Sequence, residues 1–289
     1  MKRLLLIFLL LGFLLSGCSP SPEPARIAAT TLPVYEFTAA LCDGTPLTVT
    51  RLVTEEVSCL HDYSMNVKQV KAAEAAELIV LSGAGLEDFM EDLLDGKKSV
   101  DASTGIALLC PEEGHDHSHE GHHHESDPHI WLSPSNAADM AQNICLGLSK
   151  AYPEYADTFS VNLENLTTRL NALSAYGEAA LQDLHCRELI TFHDGFSYFA
   201  EAFGLTILEA VEEESGSEAS AKELIHLIEE VRHHDLPAVF TEVNGSVSAA
   251  DILSRETGTA VFSLDMAMSG ESYFDAMYRN IDTIKEALG

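Results

Sequence analysis

Residues 153–184 read PEYADTFSVNLENLTTRLNALSAYGEAALQDL, and this stretch organises the chain. Leu163, Leu166, Leu170 and Leu173 recur at three- and four-residue steps, which puts them on one face of a helix. Pro153 suits a first helical turn, and Gly177 is the interruption. The spacing predicts one long amphipathic helix, assigned with its flanks to 151–185. On either side of it, short β-rich runs alternate with helical patterns. Before it, Arg26–Thr30, Leu47–Val53 and Glu77–Ser82 read as strands, and Pro33–Cys42, Asn66–Ala75 and Leu86–Leu94 as helices. After it, the strands are Glu188–Phe192, Leu205–Val211, Pro237–Thr241 and Thr259–Leu264. The helices there are Ala219–His234, Ser246–Glu256 and Ser272–Leu288. Such alternation predicts an α/β protein of two lobes, 26–150 and 186–289, each a parallel sheet flanked by helices. A rigid helix between them is a stiff spacer, so the lobes are expected to move little.

The chain of 289 residues carries 46 Asp+Glu against 16 Lys+Arg, a formal charge of −30. That field repels phosphate backbones, excludes nucleic acid as a partner, and concentrates cations. The N-terminus reads as an address. Lys2 and Arg3 precede an apolar run, Leu4–Leu15, of about 12 residues, short for a membrane span and suited to a signal peptide. Leu15-Ser16-Gly17-Cys18 resembles a bacterial lipobox, which implies removal of 1–17 and acylation of Cys18. The Pro-rich segment 18–25 then serves as a stiff tether. The expected location is extracytoplasmic and lipid-anchored to the bacterial membrane. Cys42, Cys59, Cys110, Cys145 and Cys186 remain, an odd number without a CxxC spacing, so they read as structural and their pairing stays open.

Six of the 13 histidines fall in 114–125: His115, His117, His119, His122, His123 and His124. Interleaved with acids and lacking apolar periodicity, this tract reads as a flexible loop that collects metal ions weakly. His119-Glu120-Gly121-His122-His123 formally matches HExxH, but that motif needs a helix with both histidines on one face, so a protease is rejected. Three more histidines have other settings. His61 lies in Cys59-Leu60-His61-Asp62-Tyr63, His129 in Asp127-Pro128-His129-Ile130-Trp131-Leu132-Ser133-Pro134, and His193 directly follows a strand. Asp265 also follows a strand, and the carboxyl ends of strands are where open α/β sheets bind ligands.

With those motifs in place, the chain resembles, nearly end to end from Ile27, the zinc/manganese-specific solute-binding proteins of ATP-binding-cassette importers, in their zinc-binding branch. The resemblance rests on His61-Asp62-Tyr63, the Asp127–Pro134 run, Thr191-Phe192-His193-Asp194, Phe240-Thr241-Glu242 and Leu264-Asp265. It implies two lobes bridged by a rigid helix with one metal between them, held by His61, His129, His193 and Asp265. Three imidazoles and a carboxylate suit tetrahedral Zn²⁺, while Mn²⁺ prefers a more oxygen-rich set. Glu242, water or another carboxylate stands as the alternative to Asp265. Cys59, beside His61, is a further metal ligand or half of a disulfide. The implied function is capture of Zn²⁺ and delivery to an importer permease and its ATPase, by a monomer with no enzymatic activity. The alternatives are a three-histidine zinc metalloenzyme and a manganese-binding or adhesin member of the same family.

Overall fold

The computed structural model describes residues 27–57, 60, 63–110, 126–211 and 219–289. The signal segment 1–17, Cys18 and its tether, Cys59, His61 and the tract 114–125 lie outside the described residues.

The first sheet comprises β1 (Ile27–Ala29), β2 (Val49–Arg51), β3 (Leu78–Leu81) and β4 (Ser99–Asp101), all parallel in the order β2-β1-β3-β4. Between β1 and β3 lie α1 (Leu32–Leu41) and α2 (Val67–Ala75). Asn66 caps α2 by accepting from the Lys68 and Gln69 amides, while the Gln69 side chain accepts from the Asn66 amide. Ser133 caps α4 (Pro134–Ala151), which follows the short helix α3 (Glu91–Leu94) in chain order. The long helix α5 (Ala156–Ala180) comes next, entered through a 3₁₀ turn at Pro153–Tyr155. The second sheet repeats the first sheet's pattern. β5 (Glu188–Thr191), β6 (Thr206–Ala210), β7 (Ala238–Glu242) and β8 (Ala260–Leu264) are parallel in the order β6-β5-β7-β8. Helices α6 (Ser197–Phe203), α7 (Ala221–His233), α8 (Ser248–Thr257) and α9 (Tyr273–Leu288) make the crossovers and the C-terminal cover.

Strand side chains alternate between faces, and both faces of each sheet are buried. Ile27, Ala29 and Val80 join a core containing Leu166 and Leu170 of α5 and Phe240 and Met266 of the second lobe. Ala28 and Ile79 turn to a separate outer cluster, as do Ile190 and Val239 in the second sheet. The central core therefore runs through both lobes and α5. Instead of standing as an isolated spacer, the long helix buries Phe159, Leu166, Leu170 and Leu173 in that core. Gly177 sits in α5 because a Cβ there would come within 2.2 Å of the Phe203 ring.

Three elements differ from the sequence reading. β4 is a three-residue edge strand with an exposed, largely polar pattern, and α4 buries an Ala-rich face (Ala137, Met140, Ala141, Ile144) rather than a leucine stripe. The helix expected over Leu86–Leu94 is a 3₁₀ turn, Asp88–Met90, followed by the one-turn α3. Its start is diverted by Glu87, which is buried. Glu87 accepts from the Thr30 hydroxyl and the Ser82 and Gly83 amides, at 2.6, 2.7 and 3.0 Å, tying the ends of β1 and β3 together. Burial, opposed by these three donors, pushes its carboxyl up to about 7. Among the described residues no helix is long and apolar enough to cross a membrane.

Candidate metal centre

His129 is set by a bond within its own tripeptide. Asp127 Oδ1 accepts from the His129 amide at 2.9 Å and pairs with ring Nδ1 at 2.8 Å. A ring whose Nδ1 hydrogen is held by a carboxylate keeps Nε2 as its lone-pair acceptor. His129 is 1% exposed, and its Nε2 has no hydrogen-bond partner among the described residues. The surroundings hold this geometry in place. Trp131 packs edge-on to the ring at 5.4 Å and donates from Nε1 to the Met266 carbonyl at 2.8 Å. Tyr198 donates to the Asp127 carbonyl and accepts from the Leu109 amide, both at 2.9 Å.

His193 arrives from the other sheet, two residues past the end of β5. Thr191 pairs with Phe240 on β7, so the turn after β5 and the end of β7 are level. That register places Glu242, the last residue of β7, with Oε1 3.9 Å from His193 Nδ1. The His193 ring lies 5.4 Å from the His129 ring at 81°. Gly195 leaves the room this needs: a Cβ there would meet Met266 Cε at 2.6 Å and His193 Cδ2 at 2.7 Å.

Asp265 follows β8, whose Leu264 pairs with Glu242, so it too leaves the carboxyl edge of the sheet. Its Oδ1 accepts from the Ala267 amide at 2.8 Å and its Oδ2 from Arg279 at 3.1 Å. Sequence reasoning singled out His129, His193 and Asp265, and named Glu242 as an alternative ligand. The pairing of Asp127 with His129 was not read, although an Asp two residues before a His is a local hydrogen-bonding signal. Arg279 carried no sequence signal.

His61 lies outside the described residues, between Leu60 and Tyr63, which are described. Leu60 is buried and its carbonyl accepts from the Tyr63 amide at 3.1 Å. Tyr63 donates to Glu55 at 2.9 Å and accepts from Gln69. Among the described residues no three His, Cys, Asp or Glu side chains close a metal shell on their own. Other histidines pair elsewhere: His234 bonds Glu188 at 2.9 Å, at the opposite end of β5 from His193, and His226 bonds Glu209 at 3.1 Å. Cys42, Cys110, Cys145 and Cys186 are free thiols, and burial pushes Cys42 up to about 12.

The His129 and His193 rings approach each other from the two lobes. Residues 27–287 match the family described as zinc-uptake complex component A, periplasmic. The chain belongs to this family. The zinc-binding lipoprotein AdcA of Streptococcus pneumoniae is 33% identical, over 99% of this chain and 61% of that relative. The chain thus spans between 55% and 61% of the length of these AdcA relatives. A crystal structure of ZnuA superposes with a TM-score of 0.78 at 28% identity, covering 92% of this chain and all of that one. The Zn(II)-bound structure of Streptococcus pneumoniae AdcA superposes at 0.75 with 29% identity, covering 91% of this chain and 57% of that one. The family thus shares the two-sheet architecture with its long connecting helix.

Proposed function

We propose that this protein captures Zn²⁺ between its two lobes, outside the cytoplasmic membrane, and hands it to the permease of an ATP-binding-cassette importer powered by its ATPase. The proposed ligands are His61 and His129 from the first lobe and His193 and Asp265 from the second. The observation that carries this reading is the presentation of His129. Its Nδ1 is engaged by Asp127 at 2.8 Å, its buried Nε2 has no hydrogen-bond partner among the described residues, and its ring lies 5.4 Å from that of His193 in the other lobe. A buried acceptor without a partner is costly, and a cation relieves that cost. A fourth ligand from Asp265 closes the shell, which favours carriage over hydrolysis, since a catalytic zinc keeps one position open. In this reading the protein is a monomer without enzymatic activity, held at the membrane by acylated Cys18. The tract 114–125 adds weak, auxiliary metal sites through His115, His117, His119, His122, His123 and His124.

The test is metal analysis of untagged protein together with competition titration of Zn²⁺ against Mn²⁺. One tight Zn²⁺ per chain is expected, and it should survive deletion of 114–125 while any additional weak sites disappear. Loss of the tight site with that tract would move the primary ligands there. Tighter binding of Mn²⁺ than Zn²⁺ would favour the manganese-binding alternative.

A further inference from the structure

Asp265 differs from the proposed imidazole ligands because its carboxylate already faces a permanent cation. Arg279 Nη2 donates to Asp265 Oδ2 at 3.1 Å, and arginine does not lose its proton in proteins. The rest of Asp265 is fixed without that guanidinium. Asn280, 2% exposed, accepts from the Asp265 amide at 2.8 Å and donates to its carbonyl at 2.6 Å. The Ala267 amide holds Oδ1 at 2.8 Å. Three bonds therefore orient the residue, and Arg279 adds only charge and a hydrogen bond on Oδ2. The Arg279 side chain is 64% exposed against 20% for Asp265, so the pair adds little to stability.

Its consequence lies with the metal. A carboxylate has about four lone-pair directions, and one on each oxygen is taken, so a cation can still bind. It meets an oxygen whose charge is partly satisfied and a guanidinium that repels it. Mn²⁺ lies low in the affinity order and depends on hard oxygen donors, whereas Zn²⁺ draws most of its binding here from imidazoles.

We propose that Arg279 is a specificity-determining residue: by pairing with Asp265 it weakens the site's oxygen donor and biases the protein against Mn²⁺ relative to Zn²⁺. This rests on the reading of Asp265 as a ligand.

The experiment is competition titration of Zn²⁺ and Mn²⁺ on the full chain, carrying Arg279→Gln, Asp265→Asn or both. Lys285→Gln, on the last turn of the same helix, serves as the charge control. Arg279→Gln should tighten Mn²⁺ about two- to fivefold and Zn²⁺ by less, while Lys285→Gln leaves the Mn²⁺/Zn²⁺ ratio unchanged. In the Asp265→Asn background, Arg279→Gln should have no effect on that ratio. An unchanged ratio in Arg279→Gln, or equal weakening of both metals, overturns the proposal. So does an effect that persists without the Asp265 carboxylate. If Asp265→Asn alone leaves both affinities as they were, the ligand assignment fails, and this proposal falls with it by a separately visible route.

Discussion

His129 and His193 face each other with ring centroids 5.4 Å apart, but the two lobes hold them by different means. The first lobe uses a contact encoded within three residues: Asp127 lies 2.8 Å from His129 Nδ1, and the ring is 1% exposed. The second relies on the register of β5 against β7, which brings Glu242 only to 3.9 Å from His193 Nδ1, with the ring side chain 15% exposed. A local bond costs little chain entropy to form and is present whenever the tripeptide is folded. A contact between strand ends inherits every small shift of the sheet. The His129 ring is thus oriented by a bond inside its own tripeptide, whereas Glu242 reaches the His193 ring through the sheet.

The sharpest way to break this contrast is a series of substitutions read by Zn²⁺ competition titration. His129→Ala removes a proposed ligand and should cost more than the ~10–100-fold typical of losing an outer partner. Asp127→Asn should fall within that range, and Glu242→Gln should cost less than Asp127→Asn. A Glu242→Gln loss as large as that of His129→Ala would make Glu242 a ligand and reverse the comparison.

Gly195→Ala probes the His193 side. Its Cβ would lie 2.6 Å from Met266 Cε and 2.7 Å from His193 Cδ2, so overpacking should lower stability by about 1–3 kcal/mol. Thermal melts with and without Zn²⁺ read this. A smaller stabilisation by Zn²⁺ in the variant is expected, because the metal must hold a displaced ring; an identical shift would show that His193 accommodates the methyl freely.

A further effect, spread over pH, concerns Glu87 at the ends of β1 and β3. Burial raises the Glu87 carboxyl from 4.5 to about 7, so the folded chain keeps this proton where the unfolded chain has lost it. The group's stabilising contribution is complete below pH 4.5 and is lost as pH rises through about 7. Glu87→Gln should remove a slope of at most about 1.4 kcal/mol per pH unit in that window, measured by denaturant unfolding at several pH values. An unaltered slope would assign the titration to another group.

Much of this arrangement was legible in the sequence because its signals are local or periodic. The buried runs of β3, β5 and β7 and the leucine steps of α5 stand out by pattern. His193 and Asp265 follow strands, and the Asp127–Pro134 run is distinctive. What was not legible depends on partners distant in the chain. Gly177 and Gly195 answer to Phe203 and Met266 through space. Arg279 and Asn280 reach Asp265 only because α9 folds back beside β8. Glu87 falls in the stretch Leu86–Leu94 read as a helix, and nothing in that pattern points to the Ser82 and Gly83 amides it satisfies. α4 escaped notice because alanine makes a shallow stripe.

Trp131 is the chain's single tryptophan, buried against the His129 ring, with its indole N–H fixed to a carbonyl of the opposite lobe. Indole emission is sensitive to hydrogen bonding and to the charge of a neighbouring imidazole. The molecule therefore carries its own optical gauge. Fluorescence of the unlabelled protein should report both the arrival of a cation at the proposed ligand His129 and any change in the seam between the lobes, from one known position.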